Sequence, residues 1–350
     1  MSQVRLGKTE IMTDKNGFGA LPIQRISFED ADALIMHAYE NGVTFFDTAR
    51  FYTDSEEKLG RTLCGRGLRS QIYLASKTMA TNAEAFQADL ETTLTSLGTD
   101  YLDLYQFHNP AFCPKPGDGT GLYEAMEEAK AQGRIRHIGI TNHRVPVAKE
   151  AIESGLYETL QFPFCYLSAE ADLELAALCK EADMGFIAMK AMSGGLITRA
   201  EAAYAFIDQY DNVLPIWGVQ KMEELDQFLA CGKNPPVIDD EMRAFIQKER
   251  KELSGEFCRG CGYCMPCPVG IKINECARMS LMIRRASTDV YMNEAYQEAM
   301  ELITECLHCG QCKSKCPYGL DTPALLEKNL IDYREQLALR TKEEAPETTE

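Results

Sequence analysis

FEDADALIMHAYENGVTFFDT, residues 28–48, holds the unit from which most of this chain is built. Phe28–Asn41 has the periodicity of an amphipathic helix, Gly42 follows as a C-cap candidate, and Val43–Thr48 is a short apolar run of strand length. The same alternation recurs on both sides. Strands are expected at Asn16–Ala20, Val43–Thr48, Ile72–Lys77, Leu102–His108, Ile138–Asn142, Leu160–Phe164, Gly185–Lys190 and Val213–Gly218. Helices are expected at Phe28–Asn41, Ser55–Cys64, Asn82–Leu97, Gly121–Gln132, Val145–Ser154, Ala169–Ala182, Arg199–Tyr210 and Met222–Ala230, with Gly98 a second C-cap candidate. Eight βα units in succession point to an α/β fold, a closed (β/α)8 TIM barrel. An open doubly wound sheet is the alternative that periodicity alone leaves.

The alternation stops at Cys231–Val237, where a Pro-Pro pair cannot continue a helix. A charged linker helix over Asp239–Leu253 then leads into a region of different composition. Of 14 cysteines, five are scattered over residues 1–250 and nine fall between Cys258 and Cys316. The expected domains are therefore a barrel over 1–237, a linker helix and small cysteine domain over 238–340, and an acidic, disordered tail over 341–350. The net charge of −17 over 350 residues would repel a phosphate backbone, so nucleic acid is excluded as a partner. No apolar window of membrane-spanning length exists, and the polar first ten residues do not read as a signal peptide. The expected location is the cytoplasm, where cysteines serve as thiols or metal ligands rather than disulfides.

The first cysteine run is Cys258-Arg-Gly-Cys261-Gly-Tyr-Cys264-Met-Pro-Cys267-Pro268; the second is Cys306-Leu-His-Cys309-Gly-Gln-Cys312-Lys-Ser-Lys-Cys316-Pro317. Spacing by two residues lets one turn of backbone present three thiolates to three corners of a cube-shaped cluster. In two-cluster ferredoxins the fourth cysteine of each run serves the other cluster. On that pattern one [4Fe–4S] cluster takes Cys258, Cys261, Cys264 and Cys316, and the other takes Cys306, Cys309, Cys312 and Cys267. Zinc also uses CxxC pairs, but needs only two per ion and does not account for two runs that end in Cys-Pro. The first run has two residues rather than three before its last cysteine; the nearby Cys276 reads as a buried free thiol, with substitution for Cys267 as a ligand the alternative. Helical patterns over Ile273–Arg285, Val290–Glu305 and Ala324–Leu339 make this domain mainly α-helical and ferredoxin-like, with Asp321-Thr322-Pro323 starting the last helix.

In the barrel, Phe45-Phe46-Asp47-Thr48-Ala49-Arg50-Phe51-Tyr52 closes the second strand, Ala75-Ser76-Lys77 the third, and Gln106-Phe107-His108-Asn109-Pro110 the fourth. This ordered set resembles the aldo/keto reductase family over residues 1–230, and Asp47, Tyr52, Lys77 and His108 match its tetrad one for one. All four lie at or just past C-terminal strand ends, where barrel enzymes place their chemistry. Hydride delivery to a carbonyl builds negative charge on oxygen and demands a proton. Lys77 beside Tyr52 favours the ionised phenol, Asp47 holds Lys77, and His108 orients the carbonyl oxygen.

The resemblance also implies cofactor positions for NADP(H) or NAD(H), with the choice between them open. Gly139-Ile140-Thr141-Asn142 stands for the family's Gly-x-Ser-Asn, so Thr141 and Asn142, with Gln161, would hold the nicotinamide amide. Met189, followed by Lys190, takes the place of the usual stacking aromatic. Gly19 is expected at the site, and Gly218, Gln220 and Lys221 would meet the adenosine phosphate, where Glu224 replaces a common Arg and Phe228 an Asn. The whole chain resembles the branch of the family fused to a two-cluster domain. It implies an oxidoreductase acting on a small carbonyl or alcohol, with clusters for electron transfer or structure and a redox partner protein. An electron-transfer module or redox sensor, in which the barrel is not the main catalyst, is the alternative.

Overall fold

The computed structural model describes residues 3–253, 257–284 and 288–343; of the tail expected to be disordered over 341–350, residues 341–343 belong to a helix and the rest lie outside the described residues. The chain divides into two compact units, one of residues up to Met192 with Arg199–Lys248, the other of Ser193–Thr198 with the residues from Glu249 onward.

The first unit opens with an antiparallel hairpin, β1 (Gln3–Arg5) and β2 (Met12–Asp14). Eight parallel strands follow: β3 (Gly17–Gly19), β4 (Phe45–Asp47), β5 (Tyr73–Thr78), β6 (Leu102–His108), β7 (Ile135–Thr141), β8 (Thr159–Pro163), β9 (Gly185–Met189) and β10 (Val213–Gly218). They close as a barrel when β10 pairs with β3, setting Trp217 opposite Phe18. The open-sheet alternative is thereby removed.

The helices between the strands are α1 (Phe28–Glu40), α2 (Ser55–Leu59), α3 (Ala83–Leu97), α4 (Leu122–Ala131), α5 (Val145–Ser154), α6 (Glu170–Glu181), α7 (Ala200–Asp208) and α8 (Met222–Lys233). Their starts follow local chemistry. The Ser27 hydroxyl accepts from the Asp30 N–H, and the Asn82 side chain accepts from the Ala85 N–H, each satisfying a donor that the first turn leaves unpaired. Gly98 ends α3 in the left-handed conformation at φ +63°. Most bounds fall within a few residues of expectation. The helix expected over Ser55–Cys64 fills that span, its second half, Gly60–Cys64, as a π-type turn. And α8 runs on to Lys233 through Gly232, which weakens a helix without blocking it as proline does; the stop comes at Asn234, one residue before proline, where the helical conformation is disfavoured.

The hairpin was not expected from the sequence. Val4, Leu6 and Ile11 pack with Phe45, Leu104, Ile187 and Leu214 in one buried cluster, so the hairpin closes the barrel at the end where its strands begin.

The boundary between the units falls within α9 (Asp240–Glu252). The second unit contains α10 (Ile273–Cys276), α11 (Met279–Met282), α12 (Thr288–Tyr291), α13 (Glu294–Glu301), α14 (Gln311–Lys315) and α15 (Thr322–Glu343). Its core gathers Ile271, Ile273, Cys276, Met279, Met300, Ile303, Leu326 and Tyr333. The helix expected over Ile273–Arg285 is two short ones instead. Asn329 of α15 is the cause: its oxygen accepts from the Ser280 N–H and its amide donates to the Ala277 carbonyl, pinning a break between them. The segment expected as one helix over Val290–Glu305 is likewise divided, with a 3-10 turn at Leu302–Glu305.

Candidate active site and thiol clusters

The tetrad residues converge at the mouth where the barrel strands end. Asp47 is the last residue of β4, Lys77 lies one residue from the end of β5, and His108 ends β6. Tyr52 stands five residues beyond Asp47 in a turn fixed by N–H bonds from Tyr52 to the Ala49 carbonyl and from Ser55 to the Tyr52 carbonyl. Lys77 Nζ donates to Asp47 Oδ2 at 2.6 Å and to the Thr48 carbonyl at 2.6 Å. The same ammonium is 5.3 Å from the Tyr52 ring centroid. The Tyr52 and His108 rings meet edge to face, with centroids 5.7 Å apart.

Burial governs the electrostatics. It lowers Lys77 from its ordinary value and raises Asp47, outweighing the attraction between them. His108 falls to about 3, through burial first and then the nearby cations Lys77 and Lys190. Its imidazole is therefore neutral at physiological pH and able to donate one hydrogen bond.

One buried residue here was not singled out from the sequence. Glu56 is 1% exposed; its carboxylate accepts from Ser76 Oγ at 2.7 Å and Thr93 Oγ1 at 2.9 Å and pairs with Arg50. It also favours the charged form of Lys77. Glu56 and the exposed Glu57 are the same residue type side by side, so nothing local marks which one turns inward.

The positions implied for a dinucleotide lie on the same mouth. Gly19, Thr141, Met189 and Gly218 end their strands, Gln161 is the third residue of β8, and Asn142 and Lys190 directly follow β7 and β9, Lys190 with φ +57°. Met189 Sδ accepts from Thr141 Oγ1 at 3.7 Å. The carboxamides already have partners. Asn142 donates to the Pro110 carbonyl and accepts from the His143 and Arg144 N–H groups. Gln161 accepts from Gln106 Nε2 at 2.9 Å and donates to Asp47 at 3.4 Å. At the start of α8 the Glu224 carboxylate accepts from the backbone N–H groups of both Gln220 and Lys221. Phe228 serves packing: its ring stacks on Trp217 with centroids 4.0 Å apart, and Tyr204 also stacks on Trp217 at 6.0 Å.

In the second unit the two cysteine runs come together. Cys258 interacts electrostatically with Cys261 and Cys316, and Cys264 with Cys258 and Cys261. Arg259 joins the start of the first run to the end of the second, with its guanidinium 4.8 Å from the Phe257 ring centroid and 4.5 Å from that of Tyr318. Cys264, Cys267, Cys306, Cys309 and Cys312 line one pocket, whose other walls include Pro266, Ile271 and Leu326. Gln311 donates to the Pro266 carbonyl across it. Cys276 points elsewhere, toward the Ala299 carbonyl in the helical core, where burial pushes its thiol up to about 12. Among the described residues, no three His, Cys, Asp or Glu side chains converge closely enough to hold a single metal ion.

Comparison with known proteins gives the family and the fold. Residues 15–203 match the aldo/keto reductase family, and residues 257–321 match the 4Fe-4S dicluster domain. An aldo-keto reductase of Mycobacterium avium is 33% identical over 137 residues, 38% of this chain and 46% of that protein. Methylglyoxal reductase DkgB of Salmonella typhi is 35% identical over 126 residues, 34% of this chain and 45% of that protein. The chain thus spans about half the length of the curated relatives it matches. Among solved structures, an aldo-keto reductase from Bacillus halodurans in its holo form superposes with a TM-score of 0.63 at 22% identity, covering 73% of this chain and 98% of that one. One from Klebsiella pneumoniae in complex with NADPH gives 0.61 at 23%, covering 71% and 94%. These structural likenesses establish the fold. With the family match extending over more than half of its residues, the chain belongs to the aldo/keto reductase family and carries a 4Fe-4S dicluster domain after the barrel.

Proposed function

We propose that the protein is an iron–sulfur oxidoreductase that moves a hydride between a nicotinamide dinucleotide and a small carbonyl or alcohol, with Tyr52 as general acid and base. One observation carries the reading: Lys77, wholly buried and bonded to Asp47 at 2.6 Å, sits 5.3 Å from the ring of Tyr52, which stands against a neutral His108.

The dinucleotide, when bound, supplies or accepts the hydride. The chain's residues do the rest. The Tyr52 hydroxyl gives its proton to the substrate oxygen as charge develops there, and the Lys77 ammonium stabilises the phenolate left behind. Asp47 and the Thr48 carbonyl hold that ammonium in place. Neutral His108 donates to the same substrate oxygen and orients it. In alcohol oxidation the proton returns along the same path.

At the nicotinamide end, Thr141 and Met189 form a wall joined to Asp47 through Gln161, and Asn142 and Gln161 would exchange their present partners to hold the amide. The adenosine end fits less well: the Glu224 carboxylate already occupies the N–H groups of Gln220 and Lys221, where it would repel a further phosphate. NADH is therefore the better match to these residues than NADPH.

The second unit would hold two [4Fe–4S] clusters, one on Cys258, Cys261, Cys264 and Cys316, the other on Cys306, Cys309, Cys312 and Cys267. Five thiols lining one pocket, Cys264 among them, suit closely placed clusters rather than one ion. Cys309 and Leu307 are exposed, so a cluster there lies within reach of a redox partner protein, which favours an electron-relay role. The cytoplasm, a reducing compartment, fits such thiols.

The test is Tyr52→Phe in anaerobically purified protein. It should abolish nicotinamide-dependent carbonyl reduction while the clusters still accept electrons; equal activity in variant and wild type refutes the assignment. Wild type should carry about eight irons and about eight sulfides per chain.

A further inference from the structure

Arg278 is 6% exposed and is the strangest charge in the second unit. It lies in the break between α10 and α11, where Asn329 pins the peptide groups on either side of it. Its Nη2 donates to the Ser193 carbonyl at 3.1 Å, while its buried Nε has no hydrogen-bond partner among the described residues. Among those residues, the titratable groups beside it are Cys258 and Tyr291, and no carboxylate is one of them. A guanidinium stays protonated under all ordinary conditions, so this is a buried positive charge. A folded chain tolerates one only where opposite charge answers it.

Two glycines make the room. A Cβ on Gly194 would stand 2.7 Å from Nη1, and one on Gly260 would press on the same nitrogen more closely still. Both glycines are left-handed, at φ +63°. Gly260 lies inside the first cysteine run, between Cys258 and Cys261, so the guanidinium rests against the loop that carries two thiols.

We propose that Arg278 is the counter-charge of the cluster held by Cys258, Cys261, Cys264 and Cys316, and that it raises that cluster's reduction potential relative to its neighbour. The inference rests on the iron–sulfur reading given above. A cluster on four thiolates is negative and becomes more so when it takes one electron from a low-potential donor; a fixed cation beside it favours that added charge. The loop at Ser193–Gly194 and the run at Gly260 then serve to aim the cation.

The test uses the full chain, purified anaerobically, with iron and sulfide analysis followed by potentiometric titration against dithionite, read by EPR. In Arg278→Met one midpoint should fall by about 59 mV or more, a tenfold or greater loss of electron affinity for a one-electron couple, while the other midpoint stays. Arg278→Lys, which keeps the charge, should fall less than half as far. Full iron content with both midpoints unmoved in Arg278→Met overturns the proposal. If Arg278→Met loses one cluster, retention in Arg278→Lys supports charge compensation, and loss in both overturns it. A wild-type chain without iron–sulfur clusters defeats the functional reading itself, and that is visible before any variant is measured.

Discussion

Asp47→Asn and Lys77→Met should destabilise the barrel by similar amounts at neutral pH, yet with opposite pH slopes. The wild-type pair is net neutral whichever atom holds the shared proton, so it adds little slope of its own. Each single variant removes the bonded partner of the other buried group, leaving Lys77 only the more distant Glu56 and Asp47 no cation in contact. In Asp47→Asn, Lys77 escapes by losing its proton, which from a reference value of 10.5 costs at most about 5 kcal/mol at pH 7. In Lys77→Met, Asp47 escapes by gaining one, which from 3.8 costs at most about 4 kcal/mol. Both ceilings agree with the roughly 3–5 kcal/mol lost when one member of a buried pair is removed. The signs then separate. The unfolded Asp47→Asn chain binds one more proton than the folded one, so its deficit shrinks tenfold in equilibrium constant per unit rise in pH toward 10.5. The folded Lys77→Met chain binds one more than the unfolded, so its deficit shrinks as pH falls toward 3.8. Urea unfolding followed by tryptophan fluorescence is the assay, because the chain's one tryptophan, Trp217, is in β10 and reports the barrel. Parallel slopes for the two variants across pH 6–9 would refute the reasoning.

Three further outcomes are expected. Because His108 titrates at about 3 in the folded chain against 6.5 ordinarily, its contribution to stability is intact above 6.5 and is lost as pH falls through that window; a His108→Gln variant should show a shallower acid slope than wild type in the same urea assay, and identical slopes would count against a buried neutral imidazole. Glu224→Gln should improve the kcat/KM for NADPH relative to NADH by about tenfold or more, since it removes a negative charge from the N–H groups of Gln220 and Lys221; an unchanged ratio in steady-state kinetics shows that the phosphate binds elsewhere. Cys276→Ser should keep about eight irons per chain, whereas Cys267→Ser should lose iron or return a cluster with altered EPR, and the reverse pattern would transfer the ligand role to Cys276.

The barrel was legible in the sequence because each βα unit carries its own signals: Ser27 and Asn82 start helices, Gly98 ends one, and the apolar runs fall on the strands. The strand lengths were less so; β4 is only Phe45–Asp47, since closure of the barrel decides which residues of Val43–Thr48 pair. The hairpin was hidden because each of its strands is three residues long and its buried residues, Val4, Leu6 and Ile11, find their partners far along the chain. The break at Ala277–Arg278 comes from Asn329, 49 residues beyond Ser280, a contact no local pattern records. For the site, the tetrad and the cysteine runs were readable as motifs. The partners that Asn142 and Gln161 find, and the inward turn of Glu56, depend on neighbours that only folding supplies.

The hairpin at the foot of the barrel adds a second seal to an interior that side chains already fill. With Val4, Leu6 and Ile11 packed there, the reactants of the proposed function would come to Lys77 from the strand-end mouth. Two reactants that share one doorway form a queue. The one that lies deeper must enter first and leave last, so turnover should follow a compulsory order, and the later arrival's product clears the way for exchange of the earlier.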